Sequence, residues 1–178
     1  MRVFLTGATG LIGSHLAKYL VERGDEVVAL VRPTSDTGFL DSLEVVDLVH
    51  GDVSDSVDSL CSVMDGCSHV VHAAALVYSG RGWDAVAAVN VEGTRRVLMA
   101  AATSGVQKAV NISSVAVYGG ELPEVLDDMT ALRPQSSYGS PRGRREPRRD
   151  PTAGGTVEPR LIRAPRFGAP MRPSLLSA

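Results

Sequence analysis

The sequence predicts a doubly wound α/β fold, a parallel sheet with helices on both faces. Three observations carry this: five short apolar, β-prone runs without polar alternation, helix-sized stretches between them, and a glycine-rich turn joining the first run to the first helix. Strands that are apolar on both sides need cover on both sides. Alternation of strand and helix makes the sheet parallel, with right-handed crossovers.

The elements follow in chain order. RVFLT at 2–6 is the first strand, the glycine turn comes next, and LIGSHLAKYLVERG is a helix that Gly24 ends. Helical spacing places Leu11, Ile12, His15, Leu16, Tyr19 and Leu20 on one face. EVVALV at 26–31 is the second strand, LEVVDLVHGD at 43–52 contains the third, SHVVHAAA at 68–75 the fourth and KAVNISS at 108–114 the fifth. Helices are expected near 54–64 and 84–104.

After Tyr138 the rhythm stops. Prolines stand at 141, 147, 151, 159, 165, 170 and 173, and LIRAP is the one apolar cluster before the end. No helix of useful length fits between those prolines. The expected organisation is therefore a single domain over 1–138 and, over 139–178, an Arg/Pro/Gly-rich tail without order and with no substrate domain. The fold is expected to be incomplete at its C-terminal part.

Composition narrows the function classes. A chain of 178 residues suits one core of ordinary size. The formal net charge of −2 conceals an acidic body and a basic tail, since nine of the 18 Lys and Arg lie in 139–178 and all nine are Arg. Such an arm can touch nucleic acid or an acidic surface, but a solvated segment is the preferred reading and no nucleic-acid partner is expected. Cys61 and Cys67 have neither redox nor metal spacing and read as reduced structural thiols, so no metal is expected. No uninterrupted apolar run reaches about 18 residues, so no membrane span is expected and the default is cytoplasmic. The oligomeric state stays open.

TGATGLIG sets Gly7, Gly10 and Gly13 after the first strand and into the first helix. There the pyrophosphate of a dinucleotide meets backbone N–H groups and the positive end of a helix dipole. The spacing is G-x-x-G-x-x-G rather than the commoner G-x-G-x-x-G. Thr9, Leu11 and Ile12 belong to the same cofactor-contacting turn. The second strand ends in LVRP, and an arginine at that place suits a 2′-phosphate, where an acidic residue would hold a free ribose. Arg32 therefore favours NADP, with NAD the alternative; Asp36 is the nearest acidic competitor.

Five motifs in order, namely TGATGLIG, the pair Gly51 and Asp52, VVHAAA, VNVEGT and SSVAVYG, resemble the extended short-chain dehydrogenase/reductase family, also called the NAD-dependent epimerase/dehydratase family. LVRPTSD at 30–36 is similar to its dihydroflavonol-reductase-like branch. The resemblance covers residues 1 to about 140 and implies a Rossmann-like domain. It implies that Asp52 and Val53 flank the adenine, that Ala73, Ala74 and Ala75 line the cofactor, and that Asn90 is a structural hydrogen-bonding residue. His72, at the end of a strand among alanines, is read as structural.

The resemblance further implies that Ser114 hydrogen-bonds the substrate oxygen at which charge changes, Ser113 being its neighbour in register, and that Tyr138 is the acid/base. The activity implied is that of an oxidoreductase or epimerase/dehydratase acting on a small hydroxyl or carbonyl substrate, sugar-derived ones included. The family places a lysine four residues after the tyrosine, to favour the phenolate. Here that position is Arg142, with Pro141 between, and a proline in a helix interior costs about 3 kcal/mol. Impaired catalysis follows as an expectation, with a non-catalytic NADP-binding module or a truncated, frame-shifted product as alternatives.

Overall fold

The computed structural model describes residues 1–43, 45–77, 83–119, 125–127 and 129–134, and the backbone of 158–164. Six strands form one parallel sheet: β1 (Arg2–Thr6), β2 (Glu26–Val31), β3 (Val46–His50), β4 (His69–His72), β5 (Lys108–Ser114) and β6 (Glu158–Ala164). Their order is β3-β2-β1-β4-β5-β6, and every pairing is parallel. Chain order runs outward from β1 in both directions, so the connection direction reverses between β1 and β4. At that switch point the loops leaving the two strands part and open a crevice.

Successive residues of one strand feed two cores. Phe4, Val28 and Leu30 pack with Leu60, Met64 and Val97 on one face of the sheet, while Val3, Leu5, Val27, Ala29 and Val31 pack with Ala17 and Leu20 on the other. This two-sided burial is the physical content of an apolar run without alternation. Each large side chain so buried contributes about 1.5–3 kcal/mol of transfer free energy.

The helices are α1 (Leu11–Glu22), α2 (Gly38–Asp41), α3 (Val57–Val63), α4 (Trp83–Ala87) and α5 (Thr94–Thr103). Ser56 caps α3 by accepting the Ser59 backbone N–H at 3.1 Å. Between α4 and α5 the backbone continues through a π-helical turn, Ala88–Gly93.

The buried face of α1 takes in only part of the set that shares a face by spacing: Leu20 is buried and Leu16 packs against the core. Gly13, Ala17 and Leu20 are buried, whereas Leu11, Ile12, His15 and Tyr19 are exposed. Small residues let the helix lie close on the sheet, and that closeness outweighs the larger apolar area of the other face. The Tyr19 ring instead lies under the Arg23 guanidinium, 5.7 Å from centroid to carbon.

A second difference falls in the stretch read as a tail. Glu158–Ala164 runs beside β5 from Lys108↔Glu158 to Ser114↔Ala164 and forms the sheet edge. The free edge of β5 offers a row of N–H and C=O groups, and a proline such as Pro159 is tolerated in an outermost strand. The partner lies some 50 residues away in the chain, so local periodicity carries no sign of the pairing.

Candidate functional site

The turn after β1 is built by its glycines. Gly7 has φ +74°, and a Cβ on it would lie 2.5 Å from the backbone nitrogen of Ala74, so β1 and β4 approach there as only glycine allows. Gly13 presses α1 onto the turn: its Cβ would meet the Gly7 carbonyl oxygen at 2.0 Å. Gly10 is different, with only that same oxygen nearby, at 3.3 Å. Two glycines thus close the turn, and the third leaves room beside it.

Gly10 is also the N-cap of α1; no side chain caps it and no acidic residue lies in the first turn. The positive end of the helix is therefore free to face an anion. Leu11 and Ile12 begin the helix with exposed side chains that do not line the cleft, so what they bring to the turn is backbone.

Beyond the turn lies a cleft of about 430 Å³ at the crevice between β1 and β4. Thr6, Gly7, Thr9 and Gly10 form its floor, and Ala73, Ala74 and Ala75 one wall. Arg32 and Ser35, which follow β2, also line it, as do Asp52 and Val53, which follow β3. Sequence reasoning missed Thr6, Leu30, Ser35, Gly51, Leu76 and Val89, which also line it. Val89 was within reach, being the neighbour of Asn90 in VNVEGT.

Several side chains there are oriented by specific bonds. Asp52 Oδ1 accepts the backbone N–H of Ser54 at 2.9 Å and its hydroxyl at 2.7 Å, while the Asp52 N–H donates to Asp55 Oδ2 at 2.8 Å. Asp36, the acidic competitor of Arg32, accepts the Gly38 N–H at 3.0 Å and does not line the cleft. Asn90, on the π-helical turn and fully buried, accepts the Leu76 N–H at 2.8 Å and donates to the Leu76 carbonyl at 2.9 Å. A widened turn of this kind often marks a functional position.

Ser114 ends β5 half-buried and accepts the Ala116 N–H at 3.2 Å, whereas Ser113 is fully buried. Tyr138 and Arg142 lie outside the described residues. Cys61 and Cys67 are both free thiols, and burial pushes the Cys67 thiol up from its ordinary value. Among the described residues no cluster of His, Cys, Asp and Glu has the form of a metal site, and no helix is long and apolar enough to cross a membrane.

A parallel sheet with strand order 3-2-1-4-5-6 and a glycine-floored cleft at its switch point defines a dinucleotide-binding type of domain. The profile of the NAD dependent epimerase/dehydratase family matches residues 3–141, and the chain belongs to that family. It is 39% identical over 153 residues to D-erythronate dehydrogenase of Cupriavidus necator, covering 78% of this chain and 46% of that protein. It is 40% identical over 118 residues to a dihydroflavonol 4-reductase-like protein of Synechocystis sp., covering 65% of this chain and 33% of the relative. The chain spans less than half the length of these curated relatives.

Among solved structures, the dTDP-glucose 4,6-dehydratase DesIV of Streptomyces venezuelae, crystallised with NAD, superposes with a TM-score of 0.81. Identity is 28%, over 92% of this chain and 55% of that one. The WbmG enzyme of Bordetella bronchiseptica, in complex with NAD and UDP, gives a TM-score of 0.74 at 28% identity, over 82% of this chain and 48% of the other.

Proposed function

We propose that residues 1–138, with β6 at the edge of their sheet, form the dinucleotide-binding domain of an NADP-dependent oxidoreductase or epimerase/dehydratase, acting on a small hydroxyl or carbonyl compound of the sugar-derived kind. The observation that carries this reading is the contrast among the three glycines: Gly7 and Gly13 are closed in by backbone, while Gly10 borders the cleft beside an uncapped helix end. That arrangement fits a pyrophosphate. The NAD-bound relatives support a pyridine dinucleotide as the occupant.

Arg32 and Ser35 in the lining of the cleft, with Asp36 outside it and bonded within its own loop, support a 2′-phosphate and hence NADP. Asp52 and Val53 suit the adenine, and Ala73 to Ala75, having no bulk, leave space along the wall. The bound nicotinamide supplies hydride transfer. Ser114 donates its hydroxyl to the substrate oxygen, and Tyr138 gives or takes the proton there.

A second reading, a module that binds NADP without catalysis, is favoured by Arg142 and Pro141 at the place of the family lysine's helix turn.

Fluorescence titration of the full chain with NADPH and NADH tests both. Saturable binding is expected, and Arg32→Asp should weaken NADPH by about tenfold or more while sparing NADH. Equal losses for the two nucleotides would remove the argument for NADP. Turnover over a panel of carbonyl substrates separates the enzyme from the module.

A further inference from the structure

We propose that His72, a residue outside the cleft, is a positioning residue that holds the alanine wall in place through a relay of buried hydrogen bonds. This rests on the reading of the cleft as a dinucleotide site.

His72 is fully buried at the end of β4, and both its ring nitrogens are engaged. On one side Nδ1 lies 2.6 Å from Thr6 Oγ1, and on the other Nε2 lies 2.9 Å from Thr94 Oγ1. Neighbouring bonds fix the direction of each proton. The Thr94 hydroxyl donates to the Asn90 carbonyl at 3.1 Å, so its oxygen is left to accept from His72 Nε2–H. Thr6 Oγ1 accepts the Ala74 N–H at 3.2 Å, and its hydroxyl proton turns to His72 Nδ1. Every donor in the chain then has an acceptor when the imidazole is neutral and protonated on Nε2.

The two ends of this relay reach the same segment. From His72 one path runs through Thr6 to the Ala74 N–H, and the other runs through Thr94 to Asn90, whose side chain brackets Leu76. Ala74 and Leu76 both line the cleft, while His72, Thr94 and Asn90 do not. The wall is therefore held at two points by a network that starts on β1, β4 and α5 and is satisfied throughout. Such networks are rigid when complete and costly when broken. His72 acts here without meeting the ligand, as an outer partner orients a ligand-bearing residue.

The test is Thr94→Val, which keeps the side chain's shape and removes the hydroxyl, set beside Thr94→Ser, which keeps the hydroxyl. In the cofactor-free full chain, amide hydrogen exchange at Ala74 and Leu76 should quicken about tenfold in Thr94→Val, relative to other sheet amides, and stay near the parent rate in Thr94→Ser. NADPH affinity should fall by about the same factor in Thr94→Val only. His72→Phe should reproduce both effects, and imidazole nitrogen NMR of the parent should report the Nε2–H tautomer.

Unchanged exchange at both amides in Thr94→Val overturns the proposal, and so does quickening spread evenly over the sheet, which would mark general destabilisation. Exchange is read without a nucleotide. A parent chain that binds neither NADPH nor NADH, yet shows the local quickening, keeps the relay and removes the cofactor reading instead.

Discussion

Gly93 stands so close to Val53 that a methyl group on it would come within 2.8 Å of Val53 Cγ2. The helix carrying Asn90 is thus seated directly against a residue of the cleft. Gly93 has ordinary helical angles, φ −58° and ψ −44°, so contact rather than backbone freedom demands glycine there. In Gly93→Ala, overpacking of about 1–3 kcal/mol opposes about 1 kcal/mol of gained helix propensity. A net loss of about 1 kcal/mol is expected in urea unfolding, together with weaker NADPH binding as Val53 is displaced. A stabilised variant would show that the contact relaxes freely.

The three glycines of the turn should separate stability from binding. Gly13→Ala drives a methyl group into the Gly7 carbonyl and is expected to destabilise by at least about 2 kcal/mol. Gly10→Val, whose Cβ meets only that oxygen at 3.3 Å, should unfold within about 1 kcal/mol of the parent and lose NADPH binding. Thermal melts and titrations on the same samples check both, and unchanged affinity in Gly10→Val would refute the role given to the turn.

Acid should weaken the fold through specific carboxylates. Arg95 holds Glu92 down from the ordinary 4.5 to about 2, Asp25 is lowered by the N-terminal ammonium and Arg23, and Asp127 by the Thr130 hydroxyl. Each is more acidic folded than unfolded, so its contribution is complete above the ordinary carboxylate range and disappears as pH falls through the folded value. For Glu92 that window runs from 4.5 down to about 2. Urea stability measured from neutral pH downward should fall in that range, with a shallower fall in Glu92→Gln and in Asp25→Asn. The Glu92 side chain is 40% exposed, so added salt should shrink its share.

Tyr138→Phe should leave NADPH affinity within about twofold and remove whatever carbonyl reduction the parent shows, since the phenol proton serves chemistry and not cofactor binding. Single-turnover assays with excess protein check it. Retained turnover would take the proton-transfer role away from Tyr138.

Much of the fold could be read from local sequence. The strands at 2–6, 26–31 and 108–114 match the expected runs residue for residue, and at 26–31 the reason is plain, since burial on both faces leaves a nearly unbroken apolar run. Gly7, Gly10 and Gly13 could be found for a similar reason, since close backbone approach admits one residue type. Which side of α1 is buried was not legible, because periodicity weighs residues by hydrophobicity and the sheet selected Gly13 and Ala17 by size. Ser35 went unseen because its place in the cleft depends on loops from different strands converging.

What the sequence determined by itself is therefore the set of pieces: five apolar strands, the helices between them, a turn open to an anion, and an arginine at the end of β2. Local steric and hydrophobic rules act over a few residues, so the order of residues encodes these directly. Only the tertiary structure decided that β1 and β4 lie side by side at the switch point, that β6 closes the edge of β5, and that His72 joins Thr6 to Thr94. Those relations join residues 22 to 66 positions apart, and a hydrogen bond of fixed length and direction becomes possible there only when packing has brought both partners to it.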